Sequence, residues 1–288
     1  MKTRKPRLSQ SLPAVYRRRD ALLALPGIIG FLGFYVVPFL GTLFFSFIDS
    51  NYNFEYVGFV HYIQTMQNAY YQLALKNTLL FCAVFVPAGV LIAFFFSLIL
   101  KNAQHFRLVQ LAFLLPVFLP SASVVVIWKL LFLYSNNASQ LLLPILVLSR
   151  DVVEWFCLFT MMMWKSIGIL MLIITSALMN FDKDIEWASE IDGANILQRV
   201  FYIIIPYLRP TLVAAAVYQL TLGLRIFKEA YLLYGAYPHP ILYQVQHYMN
   251  NHFYKLNYQN LSSGAVIFSS IILIILLPLL YYAVKRES

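Results

Sequence analysis

The chain has 288 residues, 61% hydrophobic and 17% aromatic but only 11% charged, with a net charge of +9 and a mean hydropathy of +0.71. Soluble domains carry about 25% charged residues, so this composition excludes an ordinary soluble domain and points to a helical membrane protein. Apolar runs of 20 or more residues also exclude an outer-membrane barrel, whose strands alternate over roughly ten residues. The basic excess does not imply nucleic-acid binding, because no basic folded domain remains to carry it.

Seven of the basic residues, Lys2, Arg4, Lys5, Arg7, Arg17, Arg18 and Arg19, crowd the N-terminus. The apolar run that follows continues to Phe47. It is longer than a signal-peptide core of 7–15 residues and reads as an uncleaved first span. Six spans are expected, at about 22–48, 73–100, 108–134, 153–179, 208–236 and 260–283. Each is long enough to cross a hydrocarbon layer of about 30 Å. With the N-terminus inside, Lys101, Arg107, Lys183, Arg199, Lys285 and Arg286 all fall in inner segments. The outer segments hold only Arg150 and Lys255, so the bias fixes both termini in the cytoplasm. The fold class is therefore all-α and polytopic. A basic tail (1–21) precedes a six-span domain (22–283), which contains a cytoplasmic loop (180–207), and a short C-terminal tail (284–288) follows. The stretch from Tyr52 to Tyr71 is expected to hold a short interfacial helix, and Pro26, Pro38, Pro87, Pro116 and Pro120 to kink or hinge their spans.

The chain lacks the phosphate-cradling G-x-x-x-x-G-K-[ST] loop, H-E-x-x-H, C-x-x-C and G-x-S-x-G. No ATP site, metal, cofactor or catalytic residue is expected. Cys82 and Cys157 read as membrane-buried side chains, and His247 and His252, five residues apart, make a poor helical metal pair. Charges do fall within spans: Lys129, Lys165, Arg225, Lys228 and Glu229. A charge at the bilayer centre costs about 2.5–3.5 kcal/mol on insertion scales, so these side chains should face protein or water. Arg225 and Glu229 stand at i, i+4 and are expected to pair on one helix face. Two readings follow: a structural ion pair with lysines snorkelling outward, or a translocation path lined by Lys165, Arg225, Lys228 and Glu229.

The loop 180–207 is acidic and polar. Asp182 or Asp184 can cap a helix running to about Asp192, which Gly193 would stop. Ile185, Ala188, Ser189 and Asp192 then share a small, mildly polar face suited to insertion into a groove on a soluble partner. The acidity argues against a helix resting on anionic lipid.

This loop resembles the EAA motif of bacterial ABC-importer permeases, roughly E-A-A-x3-G-x9-I-x-L-P. Gly193 is followed after nine residues by Ile203-Ile204-Ile205-Pro206, Asp192-Gly193-Ala194 matches the D-G-A core of the carbohydrate-type motif, and Pro206 and Pro210 match its proline pair. One position departs: Trp187 stands where the motif has glutamate, and Glu186 lies one residue earlier. The likeness extends to Leu25-Pro26, Val57-Gly58-Phe59, Asn77-Thr78, Leu115-Pro116, Trp164-Lys165 and Phe227. The resemblance implies a non-catalytic permease working with two ATPase subunits, a second homologous permease and an extracytoplasmic solute-binding protein. It implies ATPase coupling through residues 182–206, with Glu186, Trp187, Ala188, Ser189, Asp192, Gly193, Ala194 and Pro206 as the coupling residues. The expected cargo is a sugar or oligosaccharide. The alternatives are an anionic polyol phosphate, or a self-sufficient carrier or channel in place of an importer.

Overall fold

The computed structural model describes residues 14–49, 54–101, 106–133 and 150–284. The extreme basic residues used for orientation, Lys2 to Arg7 and Lys285-Arg286, lie outside them. Among the described residues the fold is helical, and the single β element is an isolated bridge between Ile48 and Tyr56. Five helices among the described residues are long and apolar enough to cross a membrane, and a bent pair makes a sixth if counted as one broken span.

The first span, Leu23–Phe45, comprises α1 (Ala14–Phe31), a π-helical turn (Leu32–Val36) and α2 (Val37–Phe45). The rest of the chain buries none of its apolar window. It ends at the buried Ser46, whose hydroxyl meets the Tyr62 hydroxyl at 2.7 Å. A short helix, α3 (Val60–Gln67), forms within the stretch expected to hold one. Asn68 then caps α4 (Ala69–Leu100), its side chain accepting from the backbone N–H of Tyr70 and Tyr71.

The third span is not one helix. α5 (Phe106–Phe118) and α6 (Ser121–Trp128) meet at an angle of 100°. Pro120 has no N–H to donate to Pro116, four residues back, and it pushes Leu119 out of the helical region. The Leu119 N–H bonds to the Pro116 carbonyl instead, at 3.3 Å. Pro120 thus makes a sharp corner at a position where a kink or hinge is expected.

α7 (Arg150–Met179) is the central post, with 61% of its most apolar window buried inside the chain. A Cβ on Gly168 would lie 2.1 Å from the Phe113 carbonyl oxygen, so α5 crosses α7 backbone against backbone. Small residues permit such crossings in membranes, where dispersion rather than water exclusion holds helices together. α4 packs on the same post through Phe81 and Phe85, whose rings meet Phe159.

After a short α8 (Lys183–Ile191) and α9 (Ile196–Arg199), a π turn leads into α10 (Ile205–Leu224). The helix breaks at Arg225-Ile226 and resumes as α11 (Phe227–Tyr234). The fifth span is therefore interrupted where a continuous helix is expected. Beyond it, α12 (Val245–Tyr254) covers the far end of the bundle, and α13 (Tyr258–Val284) returns as the last span. At that far end Tyr71 donates to the Gly264 carbonyl at 2.9 Å, and Thr65 meets Ser263 at 2.7 Å, locking α3 and α4 to α13.

Candidate functional site

The loop expected to bind a partner folds as a capped helix. The Asp182 carboxylate accepts from the Asp184 N–H at 2.9 Å, and Asp184 and Glu186 place negative charge in the first turn, where the helix dipole favours it. At the other end the Gly193 N–H bonds to the Glu190 carbonyl and the Ala194 N–H to the Ser189 carbonyl, with Gly193 at φ +76°. This is a Schellman termination, which needs a left-handed residue where glycine sits. Asn195 and Gln198 close a reciprocal capping box that starts α9 at once. The Asp192-Gly193-Ala194 core is thus a tight joint between two helices. Pro206 lies in the first turn of α10, directly after the π turn Val200–Ile204.

Of the expected face, Ile185, Ala188 and Asp192 are exposed, and Ser189 is not. Ser189 is buried, its hydroxyl donating to the Glu186 carbonyl at 2.6 Å. Glu186 turns inward too, accepting from Lys101 Nζ at 2.9 Å, while Glu190 pairs with Arg199. The outward stripe is Asp184, Trp187, Ala188 and Ile191, spaced i, i+3, i+4, i+7; Trp187 is 59% and Ile191 86% exposed. Lys101 closes α4, so its ion pair fastens α8 to the end of a membrane span. Trp187, anomalous against the motif, is the largest exposed side chain on the helix.

The second place of interest is a 290 Å³ cavity near the middle of the bundle, lined by Ser121, Lys165, Tyr218, Arg225, Lys228 and Glu229 among others. All four expected path residues meet there. Lys165 is residue 16 of the 30 in α7, roughly 21 Å from either helix end. Its Nζ donates to Glu229 Oε1 at 2.5 Å and to the Ser121 hydroxyl at 3.1 Å, and Ser121 donates to the same carboxylate oxygen at 2.9 Å. Glu229 is buried.

The i, i+4 pair expected between Arg225 and Glu229 does not form. The helix is broken between them, and Glu229 bonds to Lys165 and Ser121 instead. Lys228 lines the cavity and does not snorkel away from it. Lys129 lies in the π turn after α6 and is not among the lining residues. Ser121 and Tyr218 escaped the sequence reading. Ser121 carries a weak signal as the first helical residue after a span-breaking proline. Tyr218 carries none among so many membrane tyrosines.

At the opposite end of the bundle, His247 accepts the Gln244 N–H at Nδ1, 3.2 Å away, and so caps α12 as a neutral imidazole. Burial pushes its pKa down to about 4.

A bundle with a polar cavity at mid-depth and two interrupted helices beside it defines a polytopic transport component. The chain belongs to the family of binding-protein-dependent transport system inner membrane components, which it matches over residues 85–287. It is 24% identical to the osmoprotective compounds uptake permease protein GgtC of Synechocystis sp. over 91% of this chain and 96% of that protein. It is 26% identical to the arabinooligosaccharides transport system permease protein AraP of Halalkalibacterium halodurans, over 75% of this chain and 71% of that one. Its fold matches a chain of a bacterial ABC transporter involved in the import of the acidic polysaccharide alginate. There the TM-score is 0.78 at 21% identity, covering 96% of this chain and 100% of the other. The protein is therefore an inner-membrane permease of a binding-protein-dependent system, a transport component and not a catalyst.

Proposed function

We propose that this chain is a permease subunit of an ATP-driven ABC importer for a sugar or oligosaccharide, driven by separate ATPase subunits through the 182–206 loop. The observation that carries this reading is the construction of α8. An exposed Trp187–Ile191 stripe sits on a helix capped at both ends and fastened to α4 by the Lys101–Glu186 pair. An apolar stripe on a short acidic helix suits a groove on a soluble protein better than an anionic lipid surface. A push on Trp187 would reach α4 through Glu186 and α10 through the Gly193 joint. The complement is two ATPase subunits, a second homologous permease and an extracytoplasmic binding protein, with the helices around Lys165, Arg225, Lys228 and Glu229 lining the path. The lysine and arginine bias of the sequence supports a cytoplasmic side for α8.

The sugar assignment rests on the relatives: AraP is named for arabinooligosaccharides, and the structural match comes from an alginate importer. Neither favours a polyol phosphate. A self-sufficient carrier is disfavoured by the binding-protein-dependent family. The test is Gly193→Trp in the reconstituted importer. Space is open around Gly193, but its φ of +76° strains any side chain. The variant should insert normally yet lose solute uptake and substrate-stimulated ATP hydrolysis. Retention of both sinks the coupling assignment, and uptake by this chain without an ATPase sinks the importer reading.

A further inference from the structure

We infer that the mid-membrane cavity selects a saccharide bearing carboxylates, such as an oligouronate, with Arg225 and Lys228 as the specificity-determining donors. This rests on the permease reading above and goes beyond it to the charge of the cargo.

The argument is a charge count in a place where charge is expensive. The cavity is lined by three cations, Lys165, Arg225 and Lys228, and by one carboxylate, Glu229. That carboxylate is spent: Lys165 and Ser121 both donate to its Oε1. Among the described residues Arg225 and Lys228 make no ion pair, and both are exposed. They sit nine and six residues before the end of α11, roughly 14 and 9 Å along a helix axis. Unpaired cations at such depth face water or an anion. Arg225 stands at the break between α10 and α11, which frees its side chain from a helix face and leaves its five-donor fork free for a carboxylate.

The remaining lining suits a sugar. Tyr218 offers a ring with a polar tip, and Ser121 a hydroxyl. A volume of 290 Å³ is at the small end of ligand cavities, roughly 300–1,000 Å³, so the cavity holds a short length of saccharide at a time.

The test separates this cavity from the binding protein, which also selects cargo. The permease pair with its ATPase subunits is placed in nanodiscs without binding protein, and binding is titrated with trigalacturonate, with neutral maltotriose and with glycerol phosphate. Trigalacturonate should bind at least about tenfold more tightly than maltotriose, with an affinity that falls as salt rises. Arg225→Gln and Lys228→Gln should each weaken it about tenfold, and Arg225→Lys should restore part of the loss. Equal binding of maltotriose, a double variant that still binds trigalacturonate, or glycerol phosphate binding as tightly each overturns the inference. So does dissociation of the permease pair in Arg225→Gln, because the cations then serve the subunit interface. Binding-protein-stimulated ATP hydrolysis by the unmodified importer is scored separately. If it occurs without trigalacturonate binding, the charge inference falls and the permease reading stands.

Discussion

The helix α8 and the cavity around Lys165 are the two polar places in an apolar chain, and they use charge in opposite ways. On α8 four acids have a local job: Asp182 caps, Asp184 sits over the helix N-terminus, and Glu186 and Glu190 reach basic residues at the rim. Water is close, and each pair contributes little. In the cavity one carboxylate is shared by a lysine and a serine at mid-depth, where losing either charge leaves the other stranded. The first arrangement shapes a surface, while the second holds three helices, α6, α7 and α11, around a hole.

Lys165→Met should give the largest effect. It leaves Glu229 buried and unpaired, at a cost of about 3–5 kcal/mol in a thermal-unfolding measurement of the solubilised complex. The double variant with Glu229→Leu should recover most of that stability and still fail in uptake. A stable single variant would mean that the pair is solvated and that the contrast with α8 is wrong. Next comes Lys101→Ala. Its pair with Glu186 is half-buried, so stability should change by no more than about 1 kcal/mol. Uptake per ATP hydrolysed should nonetheless fall, because α8 is no longer fastened to α4. An unchanged ratio would leave the Gly193 joint as the sole link.

The smallest effect concerns acid, and it tests whether either region senses pH. His247 has its pKa lowered to about 4 in the fold against an ordinary value near 6.5. Its stabilising contribution is complete above pH 6.5 and fades as pH falls toward 4, because protonation then favours the unfolded state. Hydrogen exchange in α12 should therefore rise across that window and not in α8, and His247→Gln should flatten the response. Equal acid sensitivity in α8 would contradict this.

The two regions also differ in how far the sequence discloses them. Caps are local chemistry. Asp182 and Gly193 mark their helix ends within a few residues, and the structure forms them there, while the Asn195–Gln198 box escaped the sequence reading. Which side of α8 faces out was misread at Ser189, because the inward pull comes from Lys101, 85 residues away from Glu186. The cavity is built from contacts of that kind. Its charged residues can be picked out as charges within spans, but their partners cannot. Arg225 and Glu229 share a face only on an unbroken helix, and neither Arg225 nor Ile226 marks the break. Pro120 marks the corner in span three, though not its angle of 100°.

The Lys165–Glu229 bond has a consequence for how the protein is made. Its two ends are 64 residues apart. At roughly 5–20 residues per second of synthesis, Lys165 waits about 3–13 s for its carboxylate. During that interval α7 must enter the bilayer with its ammonium lacking a counter-charge, helped only by the Ser121 hydroxyl of the preceding span. The central post of the bundle thus reaches its resting arrangement only when the fifth span arrives.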